Sequence, residues 1–188
     1  MISRKQRIPS CDLSKLDAEG RQMAERTTVN GQVLNIFKVL LNHPKLVRNW
    51  GRFGNYILQG STLSAREREI AILRIGWLNQ APYEWEQHVL IGKRAGLTDA
   101  EIEQISKGPK AGWNRHEAAI VQAADDLFEN SVVSDETWKI LSQTYNAQQM
   151  MDLVFSIGQY NLVSWALNSF GVPLDDFLPG AQKPQGQA

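Results

Sequence analysis

Cysteine is nearly absent. Cys11 is the single one in 188 residues, so an intramolecular disulfide is impossible and a thiolate metal cluster would need other chains. Long apolar runs are missing as well, and none approaches the roughly 20 residues that span a membrane. The basic segment Met1–Pro9 is not followed by the apolar core of a secretion signal. There is no net charge, since 20 Lys and Arg balance 20 Asp and Glu. That balance argues against a dominant electrostatic footprint for nucleic acid or an anionic membrane. No stretch alternates like a hairpin over a useful length, so strands are not expected. No glycine loop for phosphate, dinucleotide fingerprint or nucleophilic-serine motif is present. What remains is a cytoplasmic chain whose neutral surface permits self-association.

What is present is helical periodicity. Hydrophobic residues make up 43% and charged residues 21%, the balance of a folded globular chain. Apolar spacing predicts helices near Lys15–Arg26, over Gln32–Asn42, and from Pro44 to Leu58 with Gly60 as the stop. Ser64 with Glu67 three residues on is a capping box that opens a helix from Ala65 to Leu78. Pro82 sits where the next helix begins, and Gly96 stops that helix. Thr98, Asn114 and Ser134 head three more. Ala147 to Phe170 reads as a final helix, with Gly158 as a point where it can bend. Its apolar positions, among them Leu153, Val154, Ile157, Leu162, Trp165 and Leu167, cover more than one stripe, so it must be buried in the core or against another subunit. The expected architecture is all-α. Residues 1–30 form an N-terminal arm, 31–172 the helical domain, and 173–188 a C-terminal strap that frays into a tail.

Side chains able to carry chemistry cluster between Glu69 and His88. Glu84 and His88 are four apart on one helix and share a face. An antiparallel pairing of the two central helices would bring Glu69 back toward them. A carboxylate beside an imidazole orients it and raises its proton affinity, which makes a proton shuttle near neutral pH. Tyr83 offers a hydroxyl donor, and Arg74 or Arg68 a carboxylate-binding cation. Each residue also has a plainer reading. Glu84 and His88 suit an exposed helix pair, Glu69 a surface ladder with Arg66 and Arg68, and Tyr83 and Trp85 apolar anchors. Two carboxylates and one histidine are a weak metal signal. His43 reads as a turn residue beside a cavity and His116 as a neutral surface group. Asp125-Asp126 reads as a solvated helix face, and Cys11 as an incidental thiol in a flexible stretch.

The run Arg66-Glu67-Arg68-Glu69-Ile70-Ala71-Ile72-Leu73-Arg74, followed by Tyr83-Glu84-Trp85-Glu86-Gln87-His88, resembles the carboxymuconolactone decarboxylase superfamily, which includes the alkyl hydroperoxidase D proteins. Asn35-Ile36-Phe37 with His43-Pro44, and Gln159-Tyr160-Asn161 through Asn168-Ser169-Phe170-Gly171, support the likeness from about residue 30 to 172. The resemblance implies a bundle of helix hairpins of the alkyl hydroperoxidase D-like type, intertwined as a homotrimer or homohexamer. In the hydroperoxidase branch, the working residues are a glutamate, a Cys-x-x-Cys pair enclosing a histidine, and a histidine four residues further on. Here Glu69 and His88 match the outer residues, while Ala81 and Glu84 stand at the cysteines and Tyr83 at the enclosed histidine. Without thiols there is no dithiol cycle.

The resemblance then implies a cofactor-independent, metal-free lyase or isomerase for a small carboxylated lactone or related product of aromatic-compound catabolism. His88 would be general acid/base, with Glu69 orienting it, Tyr83 as oxyanion donor and Glu84 completing the catalytic set. Arg74 and Trp85 would bind substrate. The alternatives are a non-catalytic oligomeric binding protein, or an antioxidant-type relative that has lost its dithiol.

Overall fold

The computed structural model describes residues 5–182. Among these, nine α-helices follow one another: α1 (Ala18–Arg26), α2 (Asn35–Leu40), α3 (Pro44–Asn55), α4 (Ala65–Leu78), α5 (Pro82–Arg94), α6 (Asp99–Lys107), α7 (Arg115–Asn130), α8 (Asp135–Leu141) and α9 (Ala147–Phe170). The expected tail beyond residue 182, and residues 1–4 of the arm, lie outside the described residues.

Two local expectations need correction. Gln32 and Val33, read as the start of a helix, belong to a two-residue ladder in which strand β1 (Thr28–Val29) pairs antiparallel with β2 (Gln32–Val33). Asn30 and Gly31 between them have φ of 52° and 78°, the paired positive values of a type I′ hairpin turn. The helix therefore starts at Asn35. The helix from Pro44 ends at Asn55 in regular form and closes through one wide turn, Tyr56–Gly60. The arm is also tied down. Cys11, Leu13, Leu16 and Met23 pack with Phe37 and Leu40 around Ala24, Leu41 and Val47.

The main core is organised around α4, which packs against α5, α7 and α9. Arg68 through Gly76, nine consecutive residues, are all buried. A helix covered on every side has no solvent face for charge, so Arg68, Glu69 and Arg74 must each meet a partner inside. α9 sets the position of this helix at both ends. Asp152 accepts from Tyr56 Oη at 2.7 Å and from Thr62 N and Oγ1 at 2.6 and 2.7 Å, just ahead of α4. Asn79 donates to Asn161 at 2.7 Å, and Asn168 donates to the Asn79 carbonyl at 2.9 Å, at the α4–α5 turn.

α9 runs through Gly158 without interruption. Its inner face is in the core at Leu153, Ile157, Tyr160 and Leu167. Met151, Phe155, Leu162 and Trp165 form a second stripe that is more than half exposed in the single chain.

Candidate active site

The α4–α5 hairpin builds the cluster. Ser64 caps α4 in the expected box with Glu67, Gln80 turns the chain with φ of 52°, and Pro82 opens α5. Two glycines allow the helices to approach closely. A Cβ on Gly76 would sit 3.2 Å from Glu84 Cγ, and one on Gly92 would sit 3.3 Å from Leu73 Cδ1. This register sets Gly76 beside Glu84 and Glu69 beside His88.

His88 lies between two buried carboxylates. Its Nδ1 is 2.6 Å from Glu69 Oε2, and its Nε2 is 3.0 Å from Glu84 Oε1. The second approach is too oblique for a hydrogen bond, so Glu84 Oε1 is a buried acceptor without a partner. Tyr160 from α9 packs edge-on against the imidazole, with ring centroids 4.7 Å apart and planes at 77°. Arg68 Nε reaches Glu69 Oε1 at 3.3 Å. Glu69, Glu84 and His88 are 0%, 3% and 5% exposed, which removes the surface-pair and surface-ladder readings.

Burial pushes the Glu84 carboxyl up to about 7, with the nearby Glu69 charge adding to the rise and His88 opposing it. Burial alone would lower the proton affinity of His88, but the charges of Glu84 and Glu69 outweigh it and the net shift is upward. The result is an imidazole biased toward its charged form, beside a carboxyl that titrates near neutrality.

Three other predicted site residues are employed elsewhere. Arg74 donates from Nε and Nη2 to both oxygens of Asp125 at 2.6 and 3.0 Å, and from Nη1 to the Ile105 and Ser106 carbonyls at 2.9 and 3.1 Å. With four of its donors engaged, it is a structural arginine rather than a carboxylate clamp. The Tyr83 hydroxyl donates to Asp175 at 2.5 Å and receives the Ile36 amide at 3.3 Å, so it anchors the C-terminal strap rather than facing the reaction. Trp85 is half-buried against Trp77, with ring centroids 5.1 Å apart.

Several plainer expectations change too. Asp125 holds Arg74, and the buried Asp126 accepts from Ser134 N and Oγ at 2.9 and 2.7 Å, so neither is a solvated face. His116 is not a bare surface group. Its Nε2 is 2.9 Å from Glu67 Oε1, and its ring meets Tyr145 edge-on at 4.7 Å. His43 is exposed at the start of α3. Cys11 is half-buried in the arm's small core, and burial followed by the Asp12 charge raises its thiol. Sequence reasoning also gave no role to Tyr160 or Asp175. The signal for Tyr160 was a tyrosine on the inner face of a helix apolar around most of its girth.

Two surface grooves lie away from His88. One of about 610 Å³ between α8 and α9 is lined by Trp138, Tyr145, Met151 and Phe155 among others; one of about 450 Å³ is lined from Pro109 through Ile140. No described helix is long and apolar enough to cross a membrane.

The arrangement of helices defines the class as the alkyl hydroperoxidase D-like all-α fold. An alkylhydroperoxidase AhpD core, an uncharacterized peroxidase-related protein from Ralstonia eutropha JMP134, has a TM-score of 0.80 at 21% identity, covering 91% of this chain and 93% of that one. An uncharacterized peroxidase-related protein from Silicibacter sp. TM1040 has a TM-score of 0.74 at 16% identity, covering 90% and 93%. A protein of unknown function from Agrobacterium tumefaciens, described as a candidate AhpD antioxidant defence protein, has a TM-score of 0.67 at 18% identity, covering 72% and 94%. No curated protein matches the chain in sequence. The model of the carboxymuconolactone decarboxylase family matches residues 44–126, the stretch that holds Arg68, Glu69, Glu84 and His88. Over that stretch the chain is similar to the carboxymuconolactone decarboxylase family, and its fold is that of the alkyl hydroperoxidase D-like proteins.

Proposed function

We propose that the protein is a cofactor-independent lyase or isomerase of the carboxymuconolactone decarboxylase type, acting on a small carboxylated lactone or a related product of aromatic-compound breakdown. The observation that carries this reading is His88 between two buried carboxylates, with one nitrogen fixed and the other beside a carboxyl of near-neutral proton affinity. Glu69 holds Nδ1–H and supports the imidazolium. In a decarboxylation, the bond to the departing carboxylate breaks and its electron pair enters the conjugated lactone as a dienolate. The Nε2 proton of His88 then passes to carbon, CO2 leaves, and Glu84 at 3.0 Å relays a replacement proton from water. Decarboxylation of carboxymuconolactone, followed by CO2 release and ultraviolet absorbance, tests the reading. His88→Gln should abolish turnover with the helical spectrum intact; undiminished turnover would remove His88 from the reaction.

Peroxidase chemistry of the dithiol kind does not fit these residues. Ala81 and Glu84 stand where a thiol pair would be needed, and the raised thiol of Cys11 is a poor nucleophile. One observation favours a non-catalytic binding protein instead: His88 is 5% exposed and neither groove reaches it. We place the chain in the cytoplasm as a homotrimer or homohexamer. The bare Met151, Phe155, Leu162 and Trp165 stripe supports that assembly, because apolar side chains at coiled-coil-like spacing along α9 call for a partner.

A further inference from the structure

Two buried side chains near His88 carry donor groups that have no acceptor among the described residues. Arg68 is 9% exposed, and among the described residues its only hydrogen bond is from Nε to Glu69, which leaves both Nη nitrogens without a partner. Tyr160 is 6% exposed, and its hydroxyl makes no hydrogen bond among the described residues. Neither group is among the orphaned atoms sealed from solvent, so both keep a small accessible edge. Both flank one imidazole: Tyr160 packs edge-on against the His88 ring at 4.7 Å, and Arg68 Nε reaches the Glu69 carboxylate whose other oxygen lies 2.6 Å from His88 Nδ1. This differs from the chain's handling of Arg74 and Tyr83, whose polar atoms are tied to Asp125 and Asp175.

We propose that Arg68 and Tyr160 form a receptor for a carboxylate that the substrate retains through the reaction, holding the reacting carbon against His88. The inference rests on the acid/base reading above and assigns the two side chains that hold its substrate's retained carboxylate. A guanidinium with both Nη groups free binds a carboxylate through two parallel hydrogen bonds, and a phenol adds a third donor. The held carboxylate cannot be the one that departs as CO2. A bidentate clamp on that group would stabilise the ground state and weaken as its charge moved into the lactone.

Calorimetric titration with benzoate, succinate and the neutral isostere benzamide tests the receptor without any need for turnover. The parent should bind at least one of the acids and not benzamide. Arg68→Gln should weaken acid binding by about tenfold or more, and Tyr160→Phe by several-fold, the loss expected for charge-assisted and neutral hydrogen bonds. Arg68→Lys keeps the charge without the planar fork and should fall between. It also serves if Arg68→Gln does not fold. His88→Gln should still bind acid, so failure of the catalytic reading would leave this result standing. The proposal is overturned if no acid binds the parent, if benzamide binds as well, or if the folded Arg68 and Tyr160 variants bind like the parent.

Discussion

Replacing Arg74 with glutamine separates its observed role from the substrate-binding role that its sequence position suggests. The side chain is 8% exposed and makes four hydrogen bonds that join the middle of α4 to Asp125 on α7 and to the final turn of α6. Glutamine cannot reach all four. The substitution leaves the Asp125 carboxylate, whose side chain is 14% exposed, without its cation, and leaves two carbonyls of the α6 C-terminus without donors. Breaking a buried ion pair by removing one partner costs about 3–5 kcal/mol. Asp125 keeps some water contact, so the low end, about 3 kcal/mol, is the better figure here.

With a urea m-value of about 2 kcal/mol/M for a chain of this size, that loss moves the unfolding midpoint down by about 1.5 M. Adding Asp125→Asn should recover part of it, because the stranded charge is removed, while the α6 carbonyls stay unsatisfied. Arg68→Gln loses one 3.3 Å contact to the buried Glu69, which keeps His88 as a partner, so it should cost about 2 kcal/mol, less than Arg74→Gln, yet weaken acid binding strongly. The reasoning is refuted if Arg74→Gln leaves the midpoint within about 0.5 M of the parent and removes acid binding instead.

Glu84→Gln changes the pH dependence of stability. The folded-state pKa of Glu84 is raised from about 4.5 to about 7, so its ionised form opposes folding; that contribution to stability is present below 4.5 and lost as pH rises through 7. His88, also shifted upward, acts in the same direction, its contribution being present below 6.5 and lost above its folded value. The glutamine variant should therefore gain on the parent in urea midpoint between pH 5 and 8; a constant difference across that range would contradict the placement. Asp175→Asn should loosen the strap. Asp175 accepts from Asn35 N, Tyr83 Oη and Gln87 Nε2 at 2.7, 2.5 and 2.6 Å, and an amide would turn its own donor toward at least one of them. A loss of about 2 kcal/mol is expected, with faster hydrogen exchange at the Asn35 and Leu178 amides; unchanged exchange would mean that other contacts hold the strap.

The parts of this structure written in local signals were legible beforehand. α4 spans Ala65–Leu78 as the Ser64–Glu67 box and the Asn79–Pro82 break require, and the Glu69, Glu84 and His88 cluster follows from pairing α4 with α5. The Asn30-Gly31 pair was also a local signal, but the flanking strands are two residues each and carry no alternation to support it. What could not be read was the choice between equivalent side chains. Arg68 and Arg74 lie on one helix, and nothing in their spacing says that Asp125, 51 residues further on, takes Arg74. Tyr83 is adjacent to Glu84 in sequence, but Asp175, 92 residues away, binds its hydroxyl and leaves Tyr160 beside His88. Those assignments depend on long-range packing, which periodicity does not encode.

The same side-chain types occur twice around α4, and their differences point to where chemistry belongs. Glu69 with His88 and Tyr160 has a counterpart in Glu67 with His116 and Tyr145. In each set a histidine bonds a glutamate of α4 and meets a tyrosine edge-on at a 4.7 Å centroid separation. In the counterpart, Glu67 is already engaged by the Ser64 amide and hydroxyl in the helix cap. Although burial opposes it, those bonds and His116 lower its proton affinity overall. His116 Nδ1 is buried without a hydrogen-bond partner, and among the described residues its ring lies within 4.0 Å of no carboxylate but that of Glu67. That set is a fixed hydrogen-bonded pair that reinforces a helix start. Around His88 the glutamate is free of capping duty, a second carboxylate stands at the other nitrogen, and the Nη groups of an arginine and a phenol hydroxyl have no acceptor among the described residues. A shared packing arrangement supplies the oriented imidazole in both places. The Tyr145 hydroxyl and His116 Nδ1 are unpartnered as well, so what the α5 side alone adds is a second carboxylate at the free imidazole nitrogen and an arginine with free Nη groups, and the second carboxylate is what a proton relay needs.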